Sequence, residues 1–151
     1  MLLSEILAPD RIRVPIRAGD KAGVIAELTG LLVDRAGGVY QDVLAAILER
    51  EAVLSTGIGH GVALPHGRSP SLRELCIVGG TTAYPVPFDA IDGEPVRVCF
   101  VVAGPESAAG QHVKVLSRIA RLVRREPVRA ALIGATTPRE FYDAIVAAEE
   151  Q

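Results

Sequence analysis

The sequence has no tryptophan, and phenylalanine and tyrosine contribute only three residues each to a chain of 151. Proteins that bind single-stranded nucleic acid stack the bases on aromatic side chains, and so few aromatic residues cannot build many such platforms. Excess basic charge is also lacking, because 16 lysine and arginine residues are balanced by 18 aspartate and glutamate residues. These two deficits argue against a nucleic-acid partner.

Long apolar runs are missing as well. Although 49% of the residues are hydrophobic, no run approaches the ~20 consecutive apolar residues that span a bilayer. The first residues, MLLSE, lack the positively charged start and the apolar core of a secretory signal. The sequence therefore predicts a cytoplasmic protein without direct membrane insertion.

Cysteine is scarce, with Cys76 and Cys99 the only two in the chain. Each lies inside an apolar run that is typical of a buried strand, which is where free cysteine is usually found. A reducing compartment disfavours disulfides. We therefore expect two inert thiols in the core.

Hydrophobic periodicity predicts a mixed α/β fold. Residues 12–16 alternate as a strand with one solvated face does, and Pro15 favours a sheet edge because it cannot donate a hydrogen bond. Further strands are expected at 62–64, 75–79 and 96–103, whereas 84–88 is expected to be irregular or on an edge. Helices are expected at 3–7 (capped by Ser4), 20–35, 41–51, 111–125, 128–133 and from Pro138 onward. We predict a single domain over residues 1–151, with helices on both faces of a mixed parallel and antiparallel sheet of about five strands.

A glycine-rich stretch, residues 55–68 (STGIGHGVALPHGR), contains two of the three histidines. Its apolar run leads to Pro65, which fixes the backbone just before His66, and Gly67 lets the chain leave by conformations that a Cβ would block. A side chain between a stiff residue and a permissive one is held in a defined direction. The pattern predicts His66 as a nucleophile or a ligand.

Three kinds of site compete for this stretch. A nucleotide-phosphate loop is disfavoured, because no Gly-Lys-Ser/Thr follows and position 62, where the dinucleotide fingerprint needs glycine, is valine. Zinc sites bring paired cysteines or acidic residues, which do not accompany His60 and His66. A covalent histidine site needs a neutral imidazole, backbone N–H groups and a cation. The residues alone leave the last hypothesis and an ordinary surface histidine both open.

Several motifs together resemble the enzyme IIA domain of the bacterial sugar phosphotransferase system. They are Arg50-Glu51 with residues 55–67 (STGIGHGVALPHG), residues 88–96 (FDAIDGEPV) and residues 112–120 (HVKVLSRIA). The branch that they resemble is the fructose/mannitol type, which includes the nitrogen-related regulatory IIA proteins. The resemblance runs from Leu2 to about Ala147 and is most specific in the glycine-rich stretch.

The resemblance implies that His66 accepts a phosphoryl group, on Nε2, from a histidine phosphocarrier protein. It also implies that His112 donates a hydrogen bond to the phosphoryl oxygens and that Arg50 lines the site, with no metal and no cofactor. Without the resemblance, Arg50 would only complement the negative end of its helix. His112 would likewise be only a polar residue near a helix start, although free N–H groups there favour an anion.

The remaining predicted site residues form the loop itself: Ser55, Thr56, Gly57, Gly59 and Gly67. Backbone N–H groups of the glycine-rich segment would help to stabilise the phosphoryl charge. The hydroxyls of Ser55 and Thr56 are expected to hold the shape of the loop instead. The site should be shallow and exposed, since two proteins must bring their histidines together.

Two uses of such a carrier are possible. As a regulatory protein, its phosphorylation state would control other proteins; as a sugar-transport component, it would pass phosphate to a cysteine of a IIB domain. Because the chain ends at Gln151 without a fused IIB segment, and residues 88–93 look closer to the nitrogen-related branch, we favour regulation. Alternatives from other classes are a metal-dependent hydrolase using His60, His66 and His112, and a non-catalytic interaction module.

Overall fold

The computed structural model describes residues 1–150, and a six-stranded sheet organises them. The strands are β1 (Ile12–Ile16), β2 (Gly57–Gly59), β3 (Val62–Ala63), β4 (His66–Arg68), β5 (Cys76–Val86) and β6 (Val96–Gly104). The helices are α1 (Leu3–Ile6), α2 (Lys21–Ala36), α3 (Tyr40–Val53), α4 (Ala109–Val123), α5 (Glu126–Gly134) and α6 (Pro138–Glu149). None of the helices within residues 1–150 combines the length and apolarity needed to cross a membrane.

The strand order is β1-β5-β6-β3-β2, and β4 also pairs with β6. The antiparallel pairs are β5–β6 and β2–β3, whereas β1–β5, β3–β6 and β4–β6 are parallel. The predicted mixed sheet is confirmed, with six strands where about five were expected. Strands β2 and β4 are only three residues long, and such short glycine-containing segments carry no measurable period-two signal.

Helices cover both faces of the sheet, as predicted. Alternate residues of β6 pack into two separate buried clusters, with Val98, Phe100 and Val102 in one and Cys99, Val101 and Ala103 in the other. The first cluster also contains buried residues of α1, α4, α5 and α6, and the second contains those of α2 and α3. Because β6 is buried on both faces, its sequence is a nearly continuous apolar run.

Two of the predicted helix starts are confirmed by side-chain caps. The amide of Gly23 donates to Asp20 Oδ1 (2.7 Å) at the start of α2. The amide of Glu140 donates to Thr137 Oγ1 (3.1 Å) at the start of α6. The Glu140 carboxylate reaches back one residue further than in a standard capping box, to the amide and hydroxyl of Thr136.

The prediction that Ser4 caps the first helix is wrong. The N-cap of α1 is Leu2, which makes no side-chain cap bond. Instead, the amides of Leu3 and Ser4 donate to the Glu149 carboxylate, at 2.7 and 2.9 Å. The first two N–H groups of this helix are therefore satisfied by the opposite end of the chain.

The middle of the sheet differs from the expectation in one respect. Strand β5 continues to Val86, which pairs with Val96 after a register shift that follows Thr81, so residues 84–86 belong to a strand. The edge position of the strand that contains Pro15 is confirmed, because β1 is the first strand in the sheet order. Cys76 and Cys99 are buried and free, also as predicted.

Candidate active site

His66 is the first residue of β4, a strand whose backbone contacts both β6 and α3. Its strand runs parallel to β6, with His66 opposite Val102. A Cβ on Gly67 would lie only 2.9 Å from the backbone nitrogen of Ile47 in α3. Glycine at this position is thus required by the close approach of helix and strand. That approach brings the last turn of α3, which carries Arg50, beside His66.

The His66 ring is half-buried and held by one hydrogen bond, from Nδ1 to the carbonyl oxygen of Leu64 (2.8 Å). A carbonyl can only accept, so in the neutral imidazole Nδ1 carries the hydrogen and Nε2 carries the lone pair. Burial lowers the pKa of His66 from its ordinary value of 6.5, and the charge of Arg50 acts in the same direction, against the opposing effect of the Leu64 bond. His66 is therefore a neutral imidazole near pH 7 with its Nε2 lone pair unshared.

His112, in the first turn of α4, is the immediate neighbour of His66. The ring centroids are 5.4 Å apart, with the planes at 67°. His112 is only 2% exposed, and neither of its ring nitrogens has a hydrogen-bond partner among residues 1–150. Burial, and then the charges of His66 and Arg68, lower the pKa of His112 to about 4. Buried polar atoms are rarely left unsatisfied, so this ring has bonding capacity available for a ligand.

The two histidines line a surface depression of about 530 Å³. Its lining comprises Ala46, Glu49, Arg50, Val53, His66, Gly67, Arg68, His112, Val113 and Leu116. The two arginines make it a favourable place for an anion. The expectation of an accessible site rather than a deep pocket agrees with this position at the surface.

Arg50 lies at the end of α3 and also at the wall of the depression. Its Nη1 donates to the carbonyl oxygen of Leu54 (2.8 Å), just beyond the C-terminal end of α3. It also lines the depression, together with an adjoining one of about 410 Å³ that extends from His66 towards Ser55 and Thr56. Capping the helix end leaves the other N–H groups of the guanidinium available to a ligand.

The hydroxyls of Ser55 and Thr56 are committed to the loop's own structure. Ser55 Oγ donates to the carbonyl oxygen of Phe88 (2.8 Å) and accepts from the amide of Gly57 (3.0 Å). The amide (3.0 Å) and hydroxyl of Thr56 both donate to the buried carboxylate of Glu51. Their geometry agrees with a role in loop shape.

Glu51 is a residue whose role the sequence did not reveal. It is 6% exposed and forms an ion pair with Lys21 Nζ at 2.7 Å. A buried carboxylate needs such compensation. The pair connects the start of α2, the end of α3 and the entry to the glycine-rich stretch.

Gly57 and Gly59 are the first and last residues of β2. Neither lines the two depressions that His66 lines. A Cβ on Gly57 would lie 2.7 Å from that of Ala90, and Gly59 has a φ of +93°. Of the predicted loop residues, only Ser55, Thr56 and Gly67 lie at the walls of these depressions.

His60 lies apart from the other two histidines. It occupies an exposed turn with a φ of +57°, and its amide donates to Asp92 Oδ2 (2.9 Å). It lines a different depression, with Arg124. Within residues 1–150, no three His, Cys, Asp or Glu side chains are grouped as metal ligands would be. The hydrolase hypothesis, which needs His60 beside His66 and His112, finds no support in this arrangement.

Arg68 is the site residue that the sequence analysis missed. It follows His66 by two positions on β4, and side chains two apart on a strand point to the same face. The spacing of two residues between His66 and Arg68 could have indicated that both side chains face the same site.

Fold and site together define an α/β domain that presents a neutral imidazole at its surface, beside a second imidazole and two arginines. The chain belongs to the family of the phosphoenolpyruvate-dependent sugar phosphotransferase system, EIIA 2, whose profile matches residues 5–148. The match covers nearly the whole chain and confirms the resemblance noted from the motifs.

Two curated relatives illustrate the range of the family. The chain is 30% identical over 145 residues to a nitrogen regulatory protein of Bradyrhizobium diazoefficiens, covering 96% of this chain and 95% of that protein. It is 35% identical over 147 residues to the fructose-specific EIIABC component of the phosphotransferase system of Bacillus subtilis, covering 96% of this chain but 23% of that protein.

Two solved structures share the fold. The nitrogen regulatory protein IIA-Ntr of Neisseria meningitidis matches with a TM-score of 0.88 and 33% identity, covering 95% of this chain and 98% of that one. A structure of the Escherichia coli mannitol enzyme IIA in complex with phosphorylated enzyme IIB matches with a TM-score of 0.80 and 20% identity, covering 93% and 96%. At that lower identity the likeness shows the fold alone.

Proposed function

We propose that this protein is a phosphohistidine carrier that accepts a phosphoryl group from a histidine phosphocarrier protein on Nε2 of His66 and acts as a nitrogen-related regulatory IIA protein. The observation that carries the proposal is the bond from His66 Nδ1 to the Leu64 carbonyl. It leaves Nε2 as the nucleophilic atom of a neutral ring in a depression that also contains His112 and two arginines.

The transfer balances without a metal or a net proton exchange with water. The His66 Nε2 lone pair forms the new N–P bond while the N–P bond of the donor breaks. The donor imidazole, whose other ring nitrogen carries a hydrogen, leaves with that electron pair as a neutral ring. His66 keeps the hydrogen on Nδ1, still bonded to Leu64. The transition state is loose, with negative charge on three equatorial oxygens, and the Arg50 guanidinium is the group that neutralises it.

His112 would supply a neutral N–H to a phosphoryl oxygen. The support for this role is a buried imidazole with a lowered pKa and no partner for either nitrogen among residues 1–150. A neutral donor can bind an oxygen of the anion without competing with His66 for a proton.

The regulatory use is supported by end-to-end similarity to a nitrogen regulatory protein, which aligns over 95% of its own length.

The second candidate is sugar transport, in which His66 passes the phosphoryl group to a IIB cysteine. The support for this use is that the fructose-specific relative has the higher identity of the two curated relatives.

The test is incubation with phosphoenolpyruvate, enzyme I and the histidine phosphocarrier protein, followed by intact mass measurement. The expected result is one acid-labile phosphoryl group per chain, absent in His66→Ala. No gain of mass in the wild type, or an equal gain in the variant, would contradict the proposal. Rapid onward transfer to a fructose-type IIB domain would favour transport over regulation.

A further inference from the structure

Arg68 is positioned to share the site of His66 and His112, but the transfer step described above assigns it no specific contact. It lies on β4 two residues after His66, and it lines the same depression as both histidines and Arg50. Its positive charge is close enough to lower the pKa of both imidazoles. Strand geometry and the lining of the depression therefore both place the guanidinium beside His66.

The present partner of Arg68 is a single carboxylate oxygen. Arg68 Nη1 donates to Glu106 Oε1 at 3.1 Å, and the two side chains are 39% and 79% exposed. Glu106 begins the short turn Glu106–Ala108 that leads directly into α4, the helix that carries His112. An exposed, one-bond ion pair of this kind contributes little to stability, so Arg68 can exchange it at small cost.

A phosphoryl group is a better ligand for this guanidinium than Glu106 is. It offers three oxygens and nearly two negative charges, and arginine binds such a group through two parallel N–H donors. Glu106 would compete for the same donors by holding them in the unphosphorylated protein. The two partners are thus alternatives.

We propose that Arg68 is a second phosphoryl-binding arginine of this site and that Glu106 holds it in the unphosphorylated protein until the phosphoryl group on His66 takes its place. The inference rests on the proposed carrier function. It adds a residue to the phosphoryl-binding set.

The test measures the rate of phosphoryl uptake by mass under limiting phosphocarrier for Arg68→Ala, Arg68→Lys and Glu106→Gln. The matched control is Arg139→Ala, which removes another exposed arginine–carboxylate pair (Arg139–Asp143, 3.3 Å) in α6. Loss of charge-assisted bonds predicts a decrease of about tenfold for Arg68→Ala. Arg68→Lys keeps the positive charge but cannot supply two parallel N–H donors, so it should restore only part of the rate. Arg139→Ala should leave it unchanged.

The Glu106→Gln variant distinguishes phosphoryl binding by Arg68 from a purely structural role of the Arg68–Glu106 pair. If Glu106 competes with the phosphoryl group, its removal leaves the rate equal to that of the wild type or raises it, by up to about fivefold. A pair that merely supports the structure predicts decreases of the same size in Arg68→Ala and Glu106→Gln, and that result would overturn the inference. Circular dichroism and melting temperature verify that each variant folds.

The failures of the two proposals are distinguishable. A wild-type protein that takes up phosphate on His66, with Arg68→Ala equally active, would overturn this inference alone. A wild-type protein that takes up no phosphate would overturn the carrier function and this inference with it.

Discussion

The two histidines of the glycine-rich stretch, His60 and His66, are close in sequence and differ in nearly every physical respect. His60 lies on an exposed left-handed turn and is held only through its backbone, by Asp92. His66 is half-buried, its ring is fixed by Leu64, and a second imidazole lies beside it. The comparison teaches that a glycine-rich motif does not by itself fix an imidazole ring; partial burial and a bond from Nδ1 to a carbonyl give His66 a defined tautomer.

The largest expected effect comes from replacing His66 with alanine, and the same replacement at His60 is the comparison. His66→Ala should abolish phosphoryl uptake, because no other ring in the depression has an anchored Nδ1 and a free Nε2. His60→Ala should retain the wild-type rate within about twofold, since surface changes away from a site have small effects. Intact mass after reaction with the phosphocarrier measures both. Phosphoryl uptake by His66→Ala, together with loss of uptake in His60→Ala, would show that His60 and not His66 is the phosphorylated residue.

His112→Ala should slow uptake without abolishing it. Removing one hydrogen-bond donor to a charged group corresponds to roughly a 10- to 100-fold loss. Quenched-flow measurement of the phosphorylation rate gives the ratio to wild type. A rate equal to that of His60→Ala would place His112 outside the phosphoryl-binding set.

Stability should depend on pH through the buried His112. The pKa of His112 is lowered to about 4 in the folded protein, against an ordinary value of 6.5. The unfolded chain therefore binds the proton more tightly, so the stability contributed by neutral His112 is fully present above pH 6.5 and is lost as pH falls towards 4.

Urea unfolding at pH 7 and at pH 4.5 measures this loss. The free energy of unfolding of the wild type should fall by roughly 1–3 kcal/mol more than that of His112→Gln. His60→Gln, as the matched control, should follow the wild type. Identical pH dependence in wild type and His112→Gln would contradict the buried neutral ring.

The smallest expected effect concerns the backbone of the His60 turn. His60→Gly should stabilise the protein by less than about 1 kcal/mol, because relief of the left-handed conformation is partly offset by glycine's greater freedom in the unfolded chain. Gly61→Ala, at a φ of +78°, should destabilise it by about 1 kcal/mol or more. Thermal melts measure both changes. Destabilisation by His60→Gly would show that the His60 side chain itself holds the turn.

The position of His66 depends largely on residues that are its neighbours in sequence, which a local pattern can reveal. Pro65 and Gly67 restrict the chain on either side of His66. The central strand β6 can also be identified locally, because its sequence is a nearly continuous apolar run. Caps such as Asp20 are equally local, since donor and acceptor are three residues apart.

Contacts between distant segments could not be predicted in the same way. The cap of α1 comes from Glu149, at the far end of the chain, rather than from Ser4. The Arg68–Glu106 pair joins residues 38 apart and depends on the register of β4 against β6. These interactions are set by tertiary packing, for which a single sequence has no pattern.

The most direct test of the central claim is a long-range ¹⁵N–¹H NMR measurement of the His66 ring near pH 7. The structure predicts a neutral ring, with the hydrogen on Nδ1 and an unprotonated Nε2, and phosphorylation should attach phosphorus to Nε2. An imidazolium at that pH, a hydrogen on Nε2 in the free protein, or phosphorus on Nδ1 would contradict the account.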